Sequence, residues 1–135
     1  ARVSLAYESP VRGIATSGWR GRSQSLGIAD AVTVLAGSAA IADAAATLIA
    51  NDVNVDYPGI LKRPASEVKD ESDLGMLPVT VDVPPLPVDQ ISEALKRGAQ
   101  TAGNFIWTGK IEAAYLSLQK QTLVVENNLK KESNE

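Results

Sequence analysis

Neither cysteine nor histidine occurs among the 135 residues. The first absence removes disulfides, thiolate nucleophiles and cysteine-ligated zinc. The second removes the imidazole that many enzymes use as a base near neutral pH. Any metal here is therefore a hard cation with oxygen ligands. Any proton transfer falls to Asp, Glu, Lys or Tyr unless another chain supplies groups. Aromatic residues are scarce, at 4% against 44% hydrophobic residues, so Ala, Val, Leu and Ile must build the core. A chain of this size has room for one, since about two-thirds of its unfolded surface is lost on folding. The net charge is −3, which gives no electrostatic reason to expect nucleic acid as a partner. No signal peptide and no bilayer-length apolar run is present. The apolar region from Ala31 to Ala50 is split by Gly37-Ser38 and interrupted by Asp43. A cytoplasmic protein without a membrane partner is the expectation. The opening "ARVSLAYES" starts inside an alternating segment, and we expect a processed or truncated piece of a longer polypeptide.

What is present divides into recognisable elements. Arg2 to Glu8 alternates apolar and polar residues and reads as a half-buried strand, broken by Ser9-Pro10. Gly13 to Gly27 carries four glycines with Ser, Thr and two arginines between them, and reads as a short strand entering a polar loop. Asp30 to Ala36 is β-branched and apolar, the pattern of a central strand. Ser38 is a good N-cap for a helix from Ala39 to Ala50, with Asn51 as its stop. Asp52 to Leu77 shows weak periodicity, with a turn at Ser72 to Gly75. Pro78 to Val83 reads as a strand and Asp89 to Phe105 as a helix, with Ile91, Ala94, Leu95 and Ala102 on its apolar face. Ile111 to Glu126 reads as a hairpin turning at Gln119 to Gln121, followed by a polar tail over 127–135 that we expect to be disordered. The order of elements predicts an α+β fold, a mixed or antiparallel sheet with helices packed on one face.

The alanine-rich helix poses the functional question. Asp43 is the only charged residue from Ala31 to Asn51, and Thr47 lies four positions on, on the same face. At about 100° per residue, Ile41, Ala45, Leu48 and Ile49 fall on one side and are expected to face the sheet. The opposite side then holds Asp43 and Thr47 among Ala39, Ala40, Ala46 and Ala50, where a solvated face normally carries Lys, Glu and Gln. Such a face predicts a close neighbour, either a ligand or protein. A covered carboxylate needs a cation, an arginine or several donors, because burying it alone costs several kcal/mol. An Asp, a hydroxyl and phosphate oxygens together suit magnesium. The structural alternative pairs Asp43 with Arg20 or Arg22, or leaves it at an edge. The glycine segment offers complementary chemistry. Thr16 and Ser17 place hydroxyls beside Gly18, while Arg20 and Arg22 suit phosphate or carboxylate. No lysine follows in Walker A register, and an ordinary surface loop fits this stretch equally well. Asp30 suits a cap or turn ahead of its strand, and Trp19 and Trp107 suit packing.

"GIATSGWRGRSQSLGIADAVTVLA" followed by "AAIADAAATLIAN" resembles the UPF0280 family, as do "RPASEV", "ESDLG", "VTVDVPPL", "EALKRGAQTAG" and "IEAAYLSLQ". That family is similar in fold to the ApbE proteins, the magnesium-dependent FAD:protein FMN transferases. The shared pattern is a TSG turn (Thr16-Ser17-Gly18), a VTV strand (Val32-Thr33-Val34) and a helix with A-D-x-x-x-T (Ala42-Asp43, Thr47). The resemblance implies that Asp43 and Thr47 are metal ligands, and that Thr16, Ser17, Gly18, Arg20 and Arg22 meet a flavin-type cofactor, FAD or FMN. It also implies that residues 1–126 are one ApbE-like domain, the C-terminal part of a larger fold completed by its own N-terminal portion or a second chain. The transferases carry a His-x-x-Asp-Pro-Arg-x-Gly segment between turn and strand. This chain has only "WRGRSQSLGIAD" there, which argues against FMN transfer. The competing expectation is a non-catalytic subunit or scaffold, a homo-oligomer meeting its partner through the alanine-rich face. An accessory role in sulfur assimilation is implied by the resemblance alone, and without cysteine this chain is no persulfide carrier.

Overall fold

The computed structural model describes residues 11–21, 24–69 and 72–127. The expected strand over 2–8, Arg22 and residues 128–135 of the polar tail lie outside them. The described residues form the α+β architecture that the element order predicts. A four-stranded sheet has the order β1 (Gly13–Ser17), β2 (Ala31–Ala36), β5 (Ile111–Leu118), β6 (Gln121–Glu126), and every pairing is antiparallel. Two helices, α1 (Ala39–Asp52) and α3 (Val88–Trp107), pack on one face. α1 lies over β1 and β2, while α3 lies over β5 and β6.

The core follows from alternation along the strands. Val32, Val34, Ala114, Leu116 and Leu118 point toward the helices and are buried with Ile49, Ile91 and Leu95. Between them, on the opposite face, Leu35 and Ala113 form a smaller cluster with Val11 and Tyr115. β5 and β6 are joined by a two-residue turn in which Gln119 and Lys120 both take positive φ, 44° and 72°. That is the handedness that matches the twist of a hairpin.

Two expectations are corrected. The strand β4 (Pro78–Asp82) does not join the main sheet. It pairs with β3 (Leu61–Pro64) in a separate two-stranded sheet, and the short helix α2 (Ala65–Val68) follows β3. Neither β3 nor α2 was legible, because the exposed sequence Leu61-Lys62-Arg63 carries no buried alternation. The inner face of α1 is also rotated from the expected one. Ala42, Ala45, Ala46, Ile49 and Ala50 are buried, whereas Ile41 and Leu48 are 45% and 50% exposed. The part of the strand face that β1 places beneath α1 is Gly13, Ala15 and Ser17, small residues that let a helix of alanines approach closely. Close packing therefore selects the alanine face over the larger side chains.

Candidate functional site

β1 ends at Ser17 and the chain turns at Gly18 to Gly21, closed by the Gly21 amide on the Gly18 carbonyl at 3.1 Å. Alternation separates the two hydroxyls. Thr16 is exposed on the open face of the sheet and shares a 2.9 Å hydrogen bond with Thr33. Ser17 falls on the helix-covered face, and its Oγ is buried with no hydrogen-bond partner among the described residues. Gly18 is needed for a close approach, but to the protein itself: a Cβ there would sit 2.4 Å from the Asp30 carbonyl oxygen.

Asp30 organises this corner. Its carboxylate accepts from Trp19 Nε1 at 3.3 Å and from the Gln119 amide at 2.8 Å. Arg20 places its Nε 4.0 Å from the same group and its guanidinium 4.9 Å from the centre of the Trp19 ring. Arg20 is thus stacked and paired on one side while its side chain stays 72% exposed. Asp30 fills the turn role read from the sequence, and Trp19 packs. Trp107 does not pack; it is 84% exposed at the end of α3.

α1 begins at Ser38, whose Oγ accepts from the Ile41 amide at 3.2 Å, as the N-cap expectation required. Asn51 does not stop the helix, which runs on to Asp52. Its side-chain oxygen instead accepts from Ser25 Oγ at 3.2 Å and from the Leu26 amide at 3.0 Å.

Asp43 is exposed, and among the described residues no ion pair reaches it. The expectation of a covered acid is therefore corrected. Of the alanines expected around it, Ala46 and Ala50 turn inward with α1 while Ala39 and Ala40 stay exposed, so its charge stays in water and carries no burial cost. Thr47 Oγ1 donates to the Asp43 main-chain carbonyl at 3.0 Å. Its proton is committed, and its lone pairs remain available to a cation or a donor. Among the described residues no three acidic side chains converge. Thr16, Ser17, Gly18 and Arg20 thus follow one another along β1 and its turn, while Asp43 and Thr47 share a flank of α1. No hydrogen bond or ion pair between described residues joins the two groups.

Other cavities lie elsewhere. One of about 380 Å³ opens on the free face of the sheet, lined by Thr33, Tyr115, Ser117, Thr122 and Val124. Another, of about 420 Å³, is lined by Tyr57, Ile60, Lys62 and Arg97. Sequence reasoning passed over Lys62 and Arg97, because only the fold brings these two cations to one cavity. Among the described residues no helix is long and apolar enough to cross a membrane.

No curated protein and no solved structure matches the chain. The family described as AbpE bacteria matches residues 1–126, the whole sequence apart from its polar C-terminal end, and the chain belongs to that family.

Proposed function

We propose that the chain binds a phosphate-bearing flavin or nucleotide together with a divalent cation, the cation held by Asp43 and Thr47. The observation that carries this reading is the state of those two oxygens. The carboxylate has no ion-pair partner among the described residues, and the neighbouring hydroxyl has turned its proton inward, leaving lone pairs outward. One carboxylate and one hydroxyl fit a magnesium ion whose remaining positions go to water and phosphate oxygens. They fill about two of the six positions of an octahedral ion, and water and the ligand supply the rest. A cation held by Asp43 and Thr47 would polarise a phosphoryl oxygen as a Lewis acid. The Ser17 hydroxyl lies buried beneath α1 at the end of β1, without a hydrogen-bond partner among the described residues, and joins the proposal through the resemblance alone. Thr16, Gly18, Arg20 and Arg22 belong to the proposal through the UPF0280 and ApbE resemblance. The missing histidine segment argues for binding without FMN transfer.

A second reading rests on a separate observation. The outer face of α1 exposes Ile41 and Leu48 on either side of Ala44, an apolar stripe in place of the usual charged surface. A non-catalytic subunit or homo-oligomer covers this stripe with a second chain. The two readings are compatible, since a covering chain supplies the wall that a surface site on α1 lacks.

Calorimetric titration with FAD, FMN and ATP, with and without magnesium, tests the first reading. We expect magnesium-dependent binding by at least one of them, weakened about tenfold or more in Asp43→Asn by loss of a charged ligand. Absence of saturable binding by all three up to about 1 mM, the weak end of specific affinity, overturns it. Sedimentation tests the second: a strictly monomeric protein removes it.

A further inference from the structure

Away from α1's Asp43 flank, the loop that leaves α1 meets β3 and α3 around a cavity of about 420 Å³. This lies within the range that small-molecule sites occupy, about 300–1,000 Å³. Its walls divide by chemistry. Val55, Tyr57 and Ile60 give an apolar side with one aromatic ring, while Lys62 from β3 and Arg97 from α3 bring two cations to the other. Asp56 is the one acidic residue in the lining.

We propose that this cavity binds a small organic anion, its carboxylate or phosphate held between Lys62 and Arg97 and its flat apolar body against Tyr57 and Ile60.

Both cations are anchored by part of their donor set and keep the rest. Lys62 Nζ donates once, to the Leu26 carbonyl at 2.8 Å, and an ammonium has three N–H groups. Arg97 uses Nε on Glu93 at 3.1 Å and one amino nitrogen on the Asn54 carbonyl at 3.2 Å, and a guanidinium has five N–H groups. Tethering to backbone carbonyls fixes the positions of the charges before a ligand arrives, which lowers the ordering cost of binding. The carbonyl contact leaves the Lys62 charge unneutralised, while Arg97 is ion-paired with Glu93 through Nε and keeps amino N–H groups for a further acceptor. Burial lowers the pKa of Lys62, with the charge of Asp56 opposing that shift. A bound anion restores what desolvation takes from the ammonium.

This inference is independent of the magnesium-dependent reading, and its test contains no metal. Phenyl phosphate and benzoate are titrated into the ¹⁵N-labelled protein, with benzyl alcohol as the neutral probe. We expect saturable shifts confined to amides of residues 54–62 and those around Arg97, with at least one anion binding and the alcohol not. Lys62→Gln and Arg97→Gln should each weaken binding about tenfold, as expected for loss of a charge-assisted hydrogen bond. Lys62→Arg should retain it, and Asp56→Asn should tighten it. A dispersed spectrum establishes that each variant is folded. If Arg97→Gln does not fold, the Lys62 pair alone decides. Binding unchanged in Lys62→Gln, equal binding of benzyl alcohol, or no saturable shift with either anion overturns the proposal.

Discussion

At the scale of single residues, Asp30 accounts for more of the β1–β2 corner than the glycines that surround it. Its carboxylate ties the Trp19 indole to the β5–β6 turn through the Gln119 amide, and it orients Arg20. Replacing it with alanine leaves a part-buried amide without a partner, so Asp30→Ala should cost about 1–3 kcal/mol. Urea unfolding checks this. Gly98 in α3 is a packing requirement: a Cβ there would meet Val53 Cγ2 at 2.3 Å and Leu116 Cδ2 at 2.9 Å. Gly98→Ala gains about 1 kcal/mol of helix propensity against an overpacking cost of about 1–3 kcal/mol, and we expect a net loss of stability. By propensity a glycine weakens a helix; the packing explains its place. Lys62 gives a pH signature. Its folded pKa lies below 10.5, so between that lowered value and 10.5 the unfolded chain binds more protons than the folded one. Stability contributed through Lys62 therefore rises with pH across that window, and below it the partly desolvated charge is a cost. Comparing pH–stability curves of the protein and Lys62→Gln should show the difference moving in favour of the unmodified protein as pH climbs toward 10.5. A flat difference would contradict it.

At the scale of elements, the caps and periodicities were legible wherever local chemistry decides. Ser38 starts α1 as read, and Ser38→Ala should cost about 1 kcal/mol by loss of the cap. The β5–β6 hairpin was legible although its turn is Gln-Lys and not Asn-Gly. Two runs rich in apolar residues framed it, and Gln119 is held in place by its side-chain contacts with the Leu86 amide and the Pro84 carbonyl, both at 2.8 Å. Lys120, at φ 72° and without such a side-chain bond among the described residues, is the strained member. The rotation of α1 was not legible. A hydrophobicity wheel ranks Ile41 and Leu48 as inner residues, but the depth of a helix on a sheet depends on both surfaces, and the small residues of β1 accept alanines. The pairing of β3 with β4 was hidden for a related reason. Its partner strand is short, exposed and charged, so its register is set by tertiary contacts such as the Thr80 amide on the Ser25 carbonyl at 2.9 Å.

At the scale of the whole molecule, the described residues make one helix-covered sheet with a second face that is only partly closed. The Val11, Leu35 and Ala113 cluster seals one end of that face. Thr33, Tyr115 and Ser117 remain half-buried around an open cavity at the other. Together with the apolar stripe on α1, this arrangement favours a partner surface, and the scaffold reading belongs at this scale. The position of Asp43 and Thr47 on one helix face was legible from spacing alone. Their exposure was not, because it depends on how far α1 rotates against β1. The proposed cation site nevertheless rests on those two side chains. The most direct measurement is paramagnetic broadening of the ¹⁵N-labelled protein by manganese in the presence of FAD. The account predicts selective loss of amide signals centred on Asp43 and Thr47, extending to Ser17 and Gly18, and absent in Asp43→Asn. Broadening that spares this flank of α1, or that persists there in Asp43→Asn, would contradict it.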